Sequence, residues 1–298
     1  MKDSKLIKIL KTFSPEEIKS FEKFLASPYF NSVKNYLSFF KELIKFYPDF
    51  NNDKLKGELI YQKLYKGKQF NKQVIWNLTS AMEKMAREFL AHAALGKNKF
   101  EKMKLLVAEF RNRKLLNNYL HTLNEMEKLL EANAIDSTYF EDKGYLENNK
   151  QFYYFLNNKV QSMSVSKLKA TEYQIMLLLR ITIGGLNDMS VLTKDYNSKF
   201  DVNIPLEFAK HIDLKSIADY ARRNNFKYTF LIDIYYHSLM MLLKPEETGH
   251  LNKVRKLFRM HYDKFNFIEK RIIMHWMLIY CILRSESEGA EYKRIMFE

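Results

Sequence analysis

An all-α fold is what this sequence predicts, and three observations predict it. Glycine and proline are scarce, 8 and 5 in 298 residues, whereas sandwiches and barrels need a turn residue every few positions. Apolar residues recur at three- and four-residue steps along most of the chain, the period of a helix buried on one side. An apolar fraction of 47%, with 23 Phe and 19 Tyr, supplies those stripes with a core and excludes a disordered chain.

The first helix signal is Ser14-Pro15-Glu16-Glu17. Serine at the N-cap accepts from an orphan N–H, proline at the first position lacks the N–H that would go unused, and glutamate at the third can reach back. The helix that follows runs to about Ala26, because Pro28 disfavours helical geometry at Ser27. A second helix spans Val33 to Tyr47, with Tyr36, Leu37, Phe40, Leu43 and Ile44 on one side and Pro48 closing it. A short helix from Leu55 to Tyr65 and a longer one from Lys72 to Ala93 come next, with Asn71 as the N-cap of the longer one.

Gly96-Lys-Asn-Lys99 reads as a module boundary. It divides the chain into an N-terminal helical module, 1–95, and a helical-repeat region, 96–298. Two helical patterns fill 100–131. Others are expected at 138–146, 148–163, 167–183, 206–223, 226–243, 247–264 and 267–284. Gly184-Gly185 and the stretch 184–204 are the least helical part, readable as a loop or an insertion. From Phe226 onward an apolar helix, an amphipathic helix and a second apolar helix alternate about forty residues apart, as in a helix-hairpin solenoid similar to tetratricopeptide repeats. A last pattern, Glu288 to Glu298, stops with no cap signal, as a chain cut short would.

The block Phe13-Ser-Pro-Glu-Glu17, Phe21-Glu-Lys-Phe-Leu25 and Ser27-Pro-Tyr-Phe-Asn31, followed by Leu59-Ile-Tyr-Gln-Lys-Leu-Tyr65, resembles a family of uncharacterised bacterial proteins. The resemblance covers residues 13–90 and implies helical repeats further on. It implies no activity, substrate or cofactor, and the Trp, Gly and Pro signature of a standard tetratricopeptide repeat is absent.

Net charge is +14, but it is spread: residues 1–150 hold 27 basic and 19 acidic side chains, and residues 151–298 hold 22 and 16. A nucleic-acid binder gathers such charge into a stripe or patch, so the first reading is a solvated lysine surface. The lone Cys281 lies in the apolar run Ile272–Leu283 and reads as a small buried hydrophobe of a reducing compartment. That run is too short to span a bilayer, and Ile175–Ile183 is interrupted by Arg180. The start alternates charged and apolar residues, unlike a signal peptide. A cytoplasmic protein without membrane contact is expected.

No linear constellation supports catalysis, a cofactor or a metal. The seven histidines form no His-Glu-x-x-His pair, and Gly184-Gly185 precedes no Lys-Ser/Thr. His237 and His275 lie in apolar helices and read as satisfied core residues. Asp233, inside Phe230-Leu-Ile-Asp-Ile-Tyr235, needs a partner, for which Arg222 or Arg271 would serve. The run from Lys97 to Lys114, with Arg111 and Arg113, is the densest basic stretch and reads as a helical face in water.

Two function classes remain. One is a non-enzymatic interaction scaffold holding a protein or peptide partner, acidic or amphipathic in character. The other is a nucleic-acid-binding regulator. Residues 54–93 loosely resemble a helix-turn-helix, with Lys66, Lys68, Lys72 and Lys84 as the phosphate contacts, although no strand pair for a wing follows. Partner identity and oligomeric state stay open.

Overall fold

The computed structural model describes residues 1–30 and 35–288. Among these the chain is all-helical, with fourteen α-helices and no strand. It packs as two compact units, Met1–Lys104 and Leu105–Glu298.

The first unit opens with a helix the periodicity did not announce, α1 (Lys5–Leu10), capped by the Ser4 hydroxyl. Its Leu6, Ile7 and Leu10 are buried, and α1 packs on the long helix of this unit. In α2 (Pro15–Ala26) the expected capping box forms in both directions: the Glu17 N–H donates to Ser14 Oγ, and the Ser14 N–H donates to the Glu17 carboxylate at 3.0 Å. Caps of this kind add about 1 kcal/mol each. Ser27 is extended before Pro28, so α2 ends where proline requires.

Helix α3 (Asn35–Ile44) is shorter than predicted: it stops three residues before the cis Tyr47–Pro48 bond, in turns at Phe46 and Tyr47. Val33 and Lys34, the predicted start, lie outside the described residues. Helix α4 (Gly57–Leu64) follows. Asn71 then caps α5 (Lys72–Lys97) as expected, accepting from the N–H groups of Gln73 and Val74. Helix α5 runs a turn past its predicted end. The core of this unit joins Phe13, Phe21, Leu25, Phe39, Phe40, Leu43, Ile60, Met82 and Phe89.

Helix α6 (Lys99–Asn112) leads into the second unit, where α7 (Leu116–Ala132) and α8 (Tyr139–Leu156) pack together. The predicted break near 147 does not occur. Helix α8 carries charge into the interior: Lys150 lies between Glu127 of α7 and Glu147, and the buried Lys143 places its ammonium 5.7 Å from the Tyr139 ring centroid.

The largest departure is α9 (Val160–Tyr196), a single 37-residue helix where two helices and a loop were expected. At 1.5 Å per residue it extends about 55 Å. Gly184 and Gly185 sit inside it. Glycine costs about 1 kcal/mol in a helix interior, which a helix this long and this widely packed carries. A methyl on Gly184 would meet the Trp276 ring at 3.9 Å, an ordinary contact, so the indole packs beside this position without requiring glycine there. By length and composition α9 could cross a bilayer. In this unit it packs on α8 and the helices that follow, and its outer side exposes Leu168, Ile175, Leu178 and Ile181.

The predicted 206–223 helix is two, α10 (Ile204–His211) and α11 (Leu214–Arg223). Asp213 interrupts the run: its carboxylate accepts from the Ser216 N–H at 3.0 Å and caps α11. Next come α12 (Thr229–Leu243), α13 (Gly249–Met260), a single 3₁₀ turn at Tyr262–Lys264, and α14 (Phe267–Glu288). Ile135, ahead of α8, pairs its backbone with Lys264 and Asn266 and fixes the start of α14. The predicted pattern at 289–298 lies outside the described residues.

Candidate docking groove and a basic helix face

Helices α13 and α14 of the second unit line a groove of about 840 Å³. Its floor is apolar: Phe258 and Cys281 are buried, while Met274 (52% exposed) and Leu278 (39% exposed) stay open to solvent. Its rim is cationic, made by Arg255 and Arg259 of α13 and Arg271 of α14, with His275 between the two chemistries. Among the described residues no carboxylate lines it. Along α14 the exposed positions 268, 271, 275, 278 and 282 recur at three and four residues, a stripe of the length an incoming helix covers.

This side of α14 was not legible as a surface. The run Ile272–Leu283 is apolar nearly all round, so its periodicity cannot say which stripe a neighbour covers. His275, expected in the core, is exposed and lines the groove. Cys281 is buried on the floor as expected, and burial raises its thiol pKa.

Two histidines meet across helices instead. His237 of α12 and His250 of α13 place their Nδ1 atoms 2.8 Å apart, and His250 Nε2 lies 3.0 Å from a Glu247 carboxylate oxygen. The arrangement closes if both rings are neutral: His250 Nε2–H donates to Glu247, and His237 Nδ1–H donates to His250 Nδ1. Burial, then the His250, Lys253 and Arg222 charges, lower His237 to about 4. A histidine with a depressed folded pKa leaves stability intact above its unfolded value of about 6.5 and removes it as pH falls toward the folded one. Urea unfolding of the chain should therefore lose about 1.4 kcal/mol per pH unit between about pH 6 and pH 4 through this site. His237→Gln should remove that part of the slope, and an unchanged slope would reject the assignment.

Asp233 takes one of its two anticipated partners, Arg222 at 3.6 Å, while Arg271 lies on the groove rim. Burial raises the Asp233 carboxyl and Arg222 works against that. In the basic stretch, Lys97, Lys104 and Arg113 pair with Glu17, Glu101 and Glu109, and Arg111 lies over the Phe152 ring. Phe100 is buried. Among the described residues no three His, Cys, Asp or Glu side chains converge to hold a metal.

In the first unit, Lys66, Lys68, Lys72 and Lys84 are all exposed. The first three occupy the link before α5 and its first residue. Lys84 lies two turns beyond Asn77, about 10 Å along α5. None of the four makes an ion pair among the described residues. Of the four only Lys72 lines a shallow depression of about 650 Å³, with Phe70, Asn71, Gln73 and Trp76. Sequence reasoning passed over Trp76, taking α5 as a packed helix; it is 64% exposed.

Set against models of known protein families, against curated proteins and against solved structures, the chain matches none. The class that fold and sites define is an all-α protein of two helical units, one bearing a cationic apolar groove.

Proposed function

We propose that this chain is a cytoplasmic, non-enzymatic interaction scaffold of the helix-hairpin, tetratricopeptide-like type, and that its groove between α13 and α14 holds an acidic amphipathic helix. The observation that carries the reading is the groove itself: an apolar floor, the exposed Arg259 and Arg271 on its rim, and no carboxylate among the described lining residues. Supporting the repeat-type architecture, α11, α12, α13 and α14 pack each on the next, as hairpins in an array do. An amphipathic helix lays its apolar face on such a floor, and guanidinium groups at the rim select carboxylates flanking that face.

Display of helical 18-residue peptides against the full chain tests the reading. The enriched sequences should carry an apolar stripe flanked by Asp and Glu. Joint Arg259→Glu and Arg271→Glu substitution, on two exposed side chains, should weaken the best binder by about tenfold or more, mostly at low salt. Enrichment of basic or featureless sequences, no enrichment, or undiminished binding by the charge-reversed chain would overturn it.

A further inference from the structure

We infer that the Phe70–Trp76 face of the first unit binds single-stranded nucleic acid, stacking bases on these two rings with phosphates on the lysines beside them. The inference is independent of the α13/α14 groove and rests on different residues.

Three observations converge there. The first is charge. Residues 59–82 contain Lys63, Lys66, Lys68 and Lys72 and not one Asp or Glu, in a chain with 35 acidic residues. Lys63 is taken up by Glu42 at 3.3 Å, whereas Lys66, Lys68 and Lys72 are exposed and form no ion pair among the described residues. The second is the rings. Trp76 is 64% exposed and Phe70 is 38% exposed, although tryptophan is among the side chains most buried on average. Phe70 is not loose: it meets the buried Tyr61 edge to face at 5.5 Å and 86°. The third is the company the rings keep. Asn71 and Gln73 line the same depression, and the Gln73 amide donates to Asn77 Oδ1 at 2.9 Å. An aliphatic partner would find little apolar surface beside the two rings. A nucleobase needs only a flat π-face with hydrogen-bonding groups at its margin.

The same features select the single strand. Base-on-ring stacking requires bases released from a duplex, and it tolerates any sequence because every base has a face. The phosphate contacts expected from a helix-turn-helix at Lys66, Lys68 and Lys72 are retained, but the readout changes from groove edges to base faces. Three lysine–phosphate contacts predict a salt slope of about −2 for log K against log salt.

The chain's two tryptophans supply the assay, because Trp276 is 3% exposed and Trp76 is open. Titration of the full chain with U20 and with dT20 should quench the exposed indole and raise the anisotropy of a labelled strand, with that slope. Trp76→Ala, at a surface position checked by circular dichroism, should weaken binding by about tenfold. A second, independent variant, Lys66→Gln/Lys68→Gln/Lys72→Gln, should flatten the salt slope toward zero. No quenching by either strand, equal affinity for a 20-base-pair duplex, or a folded Trp76→Ala chain that binds as before would each overturn the inference. Quenching by an acidic helical peptide but by neither strand would reassign the face to a protein partner and overturn it too.

Discussion

Replacing Glu269 by alanine should destabilise the second unit by about 3–5 kcal/mol, one of the two largest single-residue effects expected in this protein. Glu269 is fully buried at the start of α14, and Arg180 of α9 is partly buried, with 14% of its side chain exposed. The guanidinium grips the carboxylate with three hydrogen bonds, Nε at 2.9 and 3.1 Å and Nη2 at 2.8 Å. The Glu269 N–H in turn donates to Asn266 Oδ1 at 2.8 Å, so the carboxylate is fixed at a capped helix start. Burial opposes the Arg180 charge, yet the bonds and charge of Glu269 outweigh it and raise the guanidinium pKa. Alanine at 269 removes that compensation and leaves a cation in an apolar interior, which is far worse than losing a net hydrogen bond. Urea unfolding followed by the fluorescence of the buried Trp276 reads the change. A joint Arg180→Met/Glu269→Leu chain should recover most of the loss, since neither charge then needs the other. A Glu269→Ala chain within about 1 kcal/mol of the parent would mean that the pair is not desolvated as its geometry indicates.

Arg180 also shows where sequence reading reached and where it stopped. It was visible as the charge that interrupts Ile175–Ile183. Its partner, 89 positions away, was not, because periodicity reports a helix's own sides and not what lies across from them. Local signals did better. Ser14-Pro-Glu-Glu, Asn71 and Ser27-Pro28 mark ends set by backbone groups a few residues apart, and each of these ends falls where predicted. Two of the misplaced ends share a cause. Helices α8 and α9 stop at Asn158 and Asn197, which adopt φ of 53° and 52°. Asn225 (φ 53°) likewise follows α11, whose end at Arg223 falls where predicted. Asparagine tolerates the left-handed region and closes a helix as glycine does. Reading Gly184-Gly185 as the stop, rather than Asn197, shortened α9, and the loop expected within 184–204 is confined to 197–203. The groove and the Trp76 face belong to a further class, for a spacing rule marks apolar positions without saying which remain uncovered.

Phe21→Ala should cost the first unit about 3–5 kcal/mol, and the reason connects the core to the sequence block at 13–31. Phe21 is completely buried and meets Phe13 at 5.6 Å, Phe40 at 5.2 Å and Phe89 at 5.3 Å, the first two edge to face. These rings come from the segment before α2 and from α2, α3 and α5, so one side chain joins most of the unit. Truncation removes the transfer energy of the ring and leaves a cavity walled by other rings, which cannot collapse without leaving their edge-to-face geometry. Phe21→Leu keeps most of the volume and should cost less than half as much. Thermal unfolding by circular dichroism, with Trp76→Ala as a surface control expected within about 0.5 kcal/mol of the parent, separates the cases. A Phe21→Ala chain as stable as that control would show that the aromatic cluster is not what holds α2 in place. Phe13, Phe21, Phe24 and Leu25 of the block pack into this cluster or against it, Ser14 to Glu17 cap α2, and Phe30 stacks on Phe24 at 4.1 Å. What the block encodes is therefore the docking of α2, whereas the proposed ligand surfaces lie elsewhere, on the face of α5 and in the groove beside α14.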